Sequence, residues 1–129
     1  MPSIFTKIIN GEIPCEKLKE DDRFMAFLDT RPINPGHTLV IPKKEIDYFF
    51  DLDDDLLSGI MVFAKTVAEA IEKVVTCERV GIIVAGLEVP HAHVHLVPFS
   101  DIDELTFARA KPTDAAKLAE MGEKIRANL

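Results

Sequence analysis

The stretch Pro90-His91-Ala92-His93-Val94-His95-Leu96-Val97-Pro98 places a histidine at every second position of a short apolar run. The whole chain has four histidines, so most of its imidazoles fall within these few residues. The run is rich in Val and Leu and is closed by a proline at each end, the pattern of a strand between turns. Side chains on a strand alternate between faces, and residues i and i+2 stand about 6.6 Å apart on one face. His91, His93 and His95 are therefore predicted on one face, with Ala92, Val94 and Leu96 on the other. Imidazole titrates near neutral pH, so the row is a set of potential bases, nucleophiles or ligands.

Upstream, Arg79-Val80-Gly81-Ile82-Ile83-Val84-Ala85 reads as a buried strand. Gly86-Leu87-Glu88-Val89 is too short a link for a crossover, so the two strands pair antiparallel. Before them, Leu56, Leu57, Ile60, Met61, Ala64, Val67, Ala68, Ile71, Val74 and Val75 recur at helical spacing and predict a long helix over roughly 53–76. Asp53-Asp54-Asp55 supplies its acidic first turn. Arg23 to Leu28 and His37 to Pro42 read as two further strands, with Lys17 to Glu20 a weaker one. The breaker-rich loop Arg31-Pro32-Ile33-Asn34-Pro35-Gly36 delivers His37 to the mouth of its strand. Ser3 caps a short N-terminal helix stopped by Asn10-Gly11, and Thr113 opens a final helix near 113–128. The sum is an α+β domain: an antiparallel sheet of about five strands, one long helix and short terminal helices. One domain over 1–129 is expected, its motif-bearing core about 3–99 and a helical tail over 100–129.

A net charge of -7 argues against non-specific association with nucleic acid or an anionic membrane. It leaves room for a small phosphorylated ligand held locally. Cys15 and Cys77 are far apart and form no CxxC pair, which suits free thiols in a reducing compartment. No leader-like or membrane-spanning apolar run is present, and a cytoplasmic protein is expected.

Three chemistries compete for the histidine row: a metal site, imidazole nucleophilic catalysis, and no chemistry at all. On a straight strand the outer imidazoles would stand about 13 Å apart. Bonds to zinc of only about 2.0 Å make it hard for one ion to take all three. Phosphoryl chemistry suits a row better. One imidazole attacks phosphorus while its neighbours donate to oxygens, and the rest is positioning.

His91-Ala92-His93-Val94-His95-Leu96-Val97 resembles the His-x-His-x-His-x-x signature of the histidine triad (HIT) nucleotide-binding family. Ser3-Ile4-Phe5-Thr6-Lys7-Ile8-Ile9-Asn10-Gly11-Glu12-Ile13-Pro14 is similar to the family's N-terminal segment. Phe24-Met25-Ala26-Phe27-Leu28-Asp29 and Pro35-Gly36-His37-Thr38-Leu39-Val40-Ile41-Pro42-Lys43 are similar to its central block. Within the family the chain resembles the bacterial nucleoside phosphoramidase-like (protein kinase C inhibitor-like) branch. The resemblance implies a HIT-like fold and a hydrolase or transferase without cofactor that cleaves at the α-phosphate of purine nucleoside phosphoramidates or related compounds. His93 would attack, forming a nucleotidyl-histidine from which water releases the monophosphate. Its Nδ1 proton would be held by the His91 carbonyl. His95 would contact phosphate and help protonate the leaving group, and His37 and His91 would support one another. Asp29 would bind the ribose hydroxyls, with Ile4, Phe5, Phe27 and Leu39 lining the base slot. The alternatives are a dinucleoside polyphosphate (Ap4A-type) hydrolase and a nucleotide-binding module with little turnover. A homodimer is also implied, with sheets joined edge to edge.

The sequence departs from the family's pattern in places. Glu88 stands three residues before His91, where a small polar residue is common, and Leu87 where glutamine is common. The Ala85-Gly86-Leu87 loop has no Asn or Ser cluster to cradle phosphate. Some members hold zinc with an N-terminal CxxC and histidines. Ser3 and Thr6 occupy the cysteine places here and Glu45 a histidine place, so no metal is expected.

Overall fold

The computed structural model describes residues 2–129. Its strands β1 (Lys17–Glu20), β2 (Phe24–Leu28), β3 (Thr38–Pro42), β4 (Arg79–Ile83) and β5 (Val94–Phe99) form one sheet of order β1-β2-β3-β5-β4. Every adjacent pair is antiparallel. Three helices, α1 (Ile4–Ile9), α2 (Asp54–Val74) and α3 (Ala115–Arg126), complete an α+β architecture.

Strand register sorts the sheet residues into two faces. Ala26 opposes Val40, which opposes Val94, and these face α2 with Phe24, Leu28 and Leu96. Ile60, Ile71 and Ile125 are fully buried in this core, each burial contributing about 1.5–3 kcal/mol. On the other face Met25 opposes Ile41 and Phe27 opposes Leu39, forming a smaller apolar cluster with Phe5 of α1. Leu39 in turn opposes His95, so the triad strand adjoins that second cluster.

Helix ends follow their capping residues. Asp53 accepts the Leu56 N–H, and Asp54 and Asp55 fill the first turn of α2. The helix stops at Val74 because Val75 is already extended, at a β-branched run that favours strand geometry. The last helix is capped by Asp114 rather than Thr113: Asp114 accepts the Lys117 N–H, while the Thr113 N–H is engaged by the Thr30 carbonyl.

Two differences from the expected elements bear on function. β4 ends at Ile83, not Ala85, and the chain turns at Gly86, whose φ is +80°. More important, the triad is not one straight strand. The β3–β5 ladder runs no further back than Val40 and Val94, and the Ala92 N–H goes instead to the Ile46 carbonyl. Only His95 lies in β5. Pro42 offers no N–H, and an imidazole takes its carbonyl, so the ladder has nothing to pair with beyond that point.

The chain after β5 returns to the site. Single turns of 3-10 helix at Ile102–Glu104 and Phe107–Arg109 lead to α3, which packs on α2 and β1. Arg109 donates to Asn34, Asn34 donates to the Pro98 carbonyl, and Thr113 bonds Thr30. Residues 106–113 thus cross the loop that carries His37.

Candidate active site

Gly36 makes the turn that delivers His37. Its φ is +95°, and a Cβ there would lie 2.9 Å from Val75 Cγ2. Only glycine meets both conditions without strain. Beyond it all four histidines are buried, an unusual cost for titratable groups unless each ring nitrogen finds a partner.

Every ring makes at least one hydrogen bond, and backbone partners assign the tautomers. The Ile33 N–H donates to Nδ1 of His37 at 2.9 Å, so the proton of neutral His37 sits on Nε2. That proton points at Nδ1 of His95, 2.9 Å away, which leaves the His95 proton on Nε2. Nε2 of His91 donates to the Pro42 carbonyl at 2.8 Å, leaving Nδ1 to accept from Ser3 Oγ at 2.7 Å. Nδ1 of His93 donates to the His91 carbonyl at 2.7 Å. Nε2 of His93 then carries a lone pair. His93 is a candidate nucleophile and His95 a candidate donor, their ring centres 4.9 Å apart.

Burial pushes His37 down to about 4 and His95 down to about 3. Both are neutral near pH 7, as the tautomer assignment requires. Burial also lowers His91, against the opposing pull of the Pro42 carbonyl. Asp29, at the end of β2, accepts the Arg31 N–H, and its other oxygen lies 3.6 Å from His37 Nε2. Burial raises its carboxyl above the usual value.

His37 does not support His91, contrary to expectation. Its partner is His95, because the turn at Gly36 sets His37 beside β5, while His91 reaches back to Pro42 and Ser3. The apolar cluster contains Phe5, Phe27 and Leu39, and the Phe5 ring meets His93 edge-on with 5.1 Å between ring centres. Ile4 is not among the buried cluster and is 49% exposed on the outer side of α1.

His95 and His93, with ring centres 4.9 Å apart, each border a cleft. Asp29, Arg31, Glu88, His95, Phe107 and Ala110 line a cleft of about 180 Å³. Another, of about 310 Å³, is lined by His93, Ala92, Tyr48, Phe50, Val84 and Leu87 among others. Phe107 was not legible as a site residue, yet its ring meets His95 at 4.9 Å between centres. Its one signal in the sequence is an aromatic side chain alone in a polar stretch.

Donor atoms of Asp29, His37 and His95 all lie within 4.8 Å of one another, close enough to consider a metal ion. The tautomers speak against it. An ion on His37 Nε2 would force the ring proton to Nδ1, facing the Ile33 N–H, donor against donor. The set suits a hydrogen-bonded pair. Ser3, Thr6, Glu45 and His91 are likewise bonded to one another. Among the described residues no helix is long and apolar enough to cross a membrane, and both cysteines are free.

Residues 10–102 match the HIT domain family. The chain is 40% identical over 118 residues to an uncharacterised HIT-like protein of Methanocaldococcus jannaschii, covering 86% of this chain and 91% of the other. It is 37% identical over 130 residues to an adenosine 5'-monophosphoramidase of Saccharomyces cerevisiae, covering 98% and 82%. Among solved structures, a HIT-like protein involved in cell-cycle regulation from Bartonella henselae superposes with a TM-score of 0.87 at 33% identity, over 98% of this chain and 96% of that one.

Proposed function

Since the chain belongs to the HIT domain family, we propose that it is a nucleotide hydrolase that cleaves purine nucleoside phosphoramidates at the α-phosphate through a nucleotidyl-histidine. One observation carries the reading. His93 is locked by the His91 carbonyl in the tautomer whose Nε2 lone pair is free to attack. Nε2 bonds to phosphorus as the bond from phosphorus to the amine breaks. The electron pair leaves on nitrogen, which takes a proton from solvent as it departs. The hydrogen bond from His95 Nε2 stabilises the charge that shifts onto the phosphoryl and leaving groups. His95 works as a neutral donor, since a proton on Nδ1 would face the His37 N–H. Water then attacks phosphorus and displaces His93, and the proton it releases balances the one the amine took.

Phe5, Phe27 and Leu39 offer an apolar wall for a purine, and Asp29 an acceptor for ribose hydroxyls. Glu88 lies on the cleft that opens at His95, where with Asp29 it outweighs the single cation of Arg31. That balance favours an amine leaving group over a polyphosphate, which the carboxylates would repel. The protein of Saccharomyces cerevisiae named above is called an adenosine 5'-monophosphoramidase, in keeping with this choice.

A homodimer completes the proposal. β4 is an outer strand of the sheet, and Ile82 within it and Val84 and Leu87 just after it are exposed apolar side chains. An open strand edge with apolar neighbours is a surface that a second copy can cover. No nucleic acid, membrane or cofactor enters the reading.

The test is hydrolysis of an adenosine phosphoramidate by the wild type and by His93→Ala. Turnover by the wild type and none by the variant is expected. Equal rates would overturn the role of His93, and tight binding of nucleoside monophosphate without turnover would favour a binding module.

A further inference from the structure

Ser3 is a buried hydroxyl that does more than begin a helix. As the cap of α1 it accepts the Thr6 N–H at 3.1 Å, which is all that capping requires. Its other bonds reach across the chain. Its backbone N–H donates to Glu45 Oε1 at 2.6 Å, and its hydroxyl donates to His91 Nδ1 at 2.7 Å. Thr6 Oγ1 donates to the same Glu45 oxygen at 2.6 Å. The donor sense is forced. The Pro42 carbonyl can only accept, so His91 donates from Nε2 and must accept at Nδ1. The next link is the His91 carbonyl, which holds the Nδ1 proton of His93.

We infer that Ser3, Thr6 and Glu45 form a clamp that sets the orientation of His91 and, through its carbonyl, the tautomer and aim of His93. They are positioning residues, and none lines the clefts described above. The inference rests on the reading of His93 as nucleophile.

Three further observations agree. The Ala92 N–H is held by the Ile46 carbonyl, next to Glu45, so the loop after β3 holds the triad segment directly at Ile46 and through Ser3 at Glu45. α1 also carries Phe5, whose ring touches both His91 and His93, so releasing Ser3 would loosen the nucleophile from two sides. The clamp is needed where it stands because the β3–β5 ladder does not extend to His93. Side-chain bonds do there what strand pairing does for His95. The carboxylate form of Glu45 is also secure: the Ser3 N–H, followed by the Thr6 hydroxyl, pulls it down to about 2.

The experiment compares Ser3→Ala, Ser3→Thr and Glu45→Ala with wild type in two measurements. In steady-state hydrolysis of an adenosine phosphoramidate, Ser3→Ala and Glu45→Ala should lower kcat roughly 10- to 100-fold and change KM far less, since Asp29, Phe27 and Leu39 are untouched and only Phe5 of the purine wall rides on α1. Ser3→Thr should restore most of kcat. In 15N NMR of the imidazoles, both alanine variants should shift His93 away from a pure Nδ1–H tautomer. Glu45 is exposed, so Glu45→Ala keeps the question answerable if Ser3→Ala fails to fold. Wild-type kcat in Glu45→Ala with an unchanged His93 spectrum would overturn the clamp, even if stability fell. Should the wild type not hydrolyse the substrate, the functional reading fails. The spectra then decide alone: an altered His93 tautomer supports the clamp and an unaltered one overturns it.

Discussion

His37 Nε2 donates to His95 Nδ1 across 2.9 Å, between residues 58 positions apart in the chain. The bond fixes which nitrogen of His95 presents a proton to the cleft. Removing it in His37→Ala leaves His95 free to adopt the other tautomer, with a lone pair where a donor is needed. A loss of kcat of about 100-fold is expected, the scale for one donor to a developing negative charge. Steady-state kinetics on a nucleoside phosphoramidate would show it, and wild-type kcat would refute it.

Phe107 shields His95 from solvent. Burial is the largest cause of the low value of His95, about 3, ahead of the nearby His37 and His93. Phe107→Ala admits water, so His95 should titrate higher, toward the ordinary 6.5. An NMR titration of the His95 Cε1 proton reads this directly. An unmoved titration would mean that the rest of the pocket does the shielding.

The same burial makes stability depend on pH. His37 and His95 protonate near 4 and 3 when folded, against 6.5 when exposed. Below about 6.5 the unfolded chain binds more protons than the folded one, so stability is complete above that value and falls as pH drops. Urea midpoints should decline from pH 7 to pH 5, above the carboxylate range. His37→Asn removes one of the two groups, and its decline should be shallower.

Gly36→Ala should destabilise by about 1–3 kcal/mol, because alanine is strained at positive φ and its Cβ meets Val75. The loss should appear as a lower denaturant midpoint with an unchanged slope. A wild-type midpoint would show that the turn can relax.

Ile125 of α3 is fully buried in the core beneath the sheet. Ile125→Ala should cost about 2–5 kcal/mol in chemical denaturation. A much smaller cost would mean that residues after β5 fold apart from the rest.

Local pattern was enough to read much of this protein. The spacing of Leu56, Ile60, Ala64, Val67 and Ile71 specifies α2, because helix periodicity is a property of neighbours. The runs around Phe24, Leu39, Val80 and Leu96 specify strands for the same reason, and the histidine signature marks where chemistry gathers. What alternation could not foresee is that β5 begins only at Val94, with His91 and His93 outside the ladder. Nor could it pair His37 with His95, Ser3 with His91, or Phe107 with His95. Those contacts join residues 58, 88 and 12 positions apart. The tautomers depend on single backbone groups, the Ile33 N–H and the Pro42 and His91 carbonyls. The sequence determined which residues carry the chemistry, because residue type and local spacing are written in it. The tertiary structure decided which nitrogen of each imidazole holds the proton, because that depends on where distant loops and strand ends place their donors and acceptors.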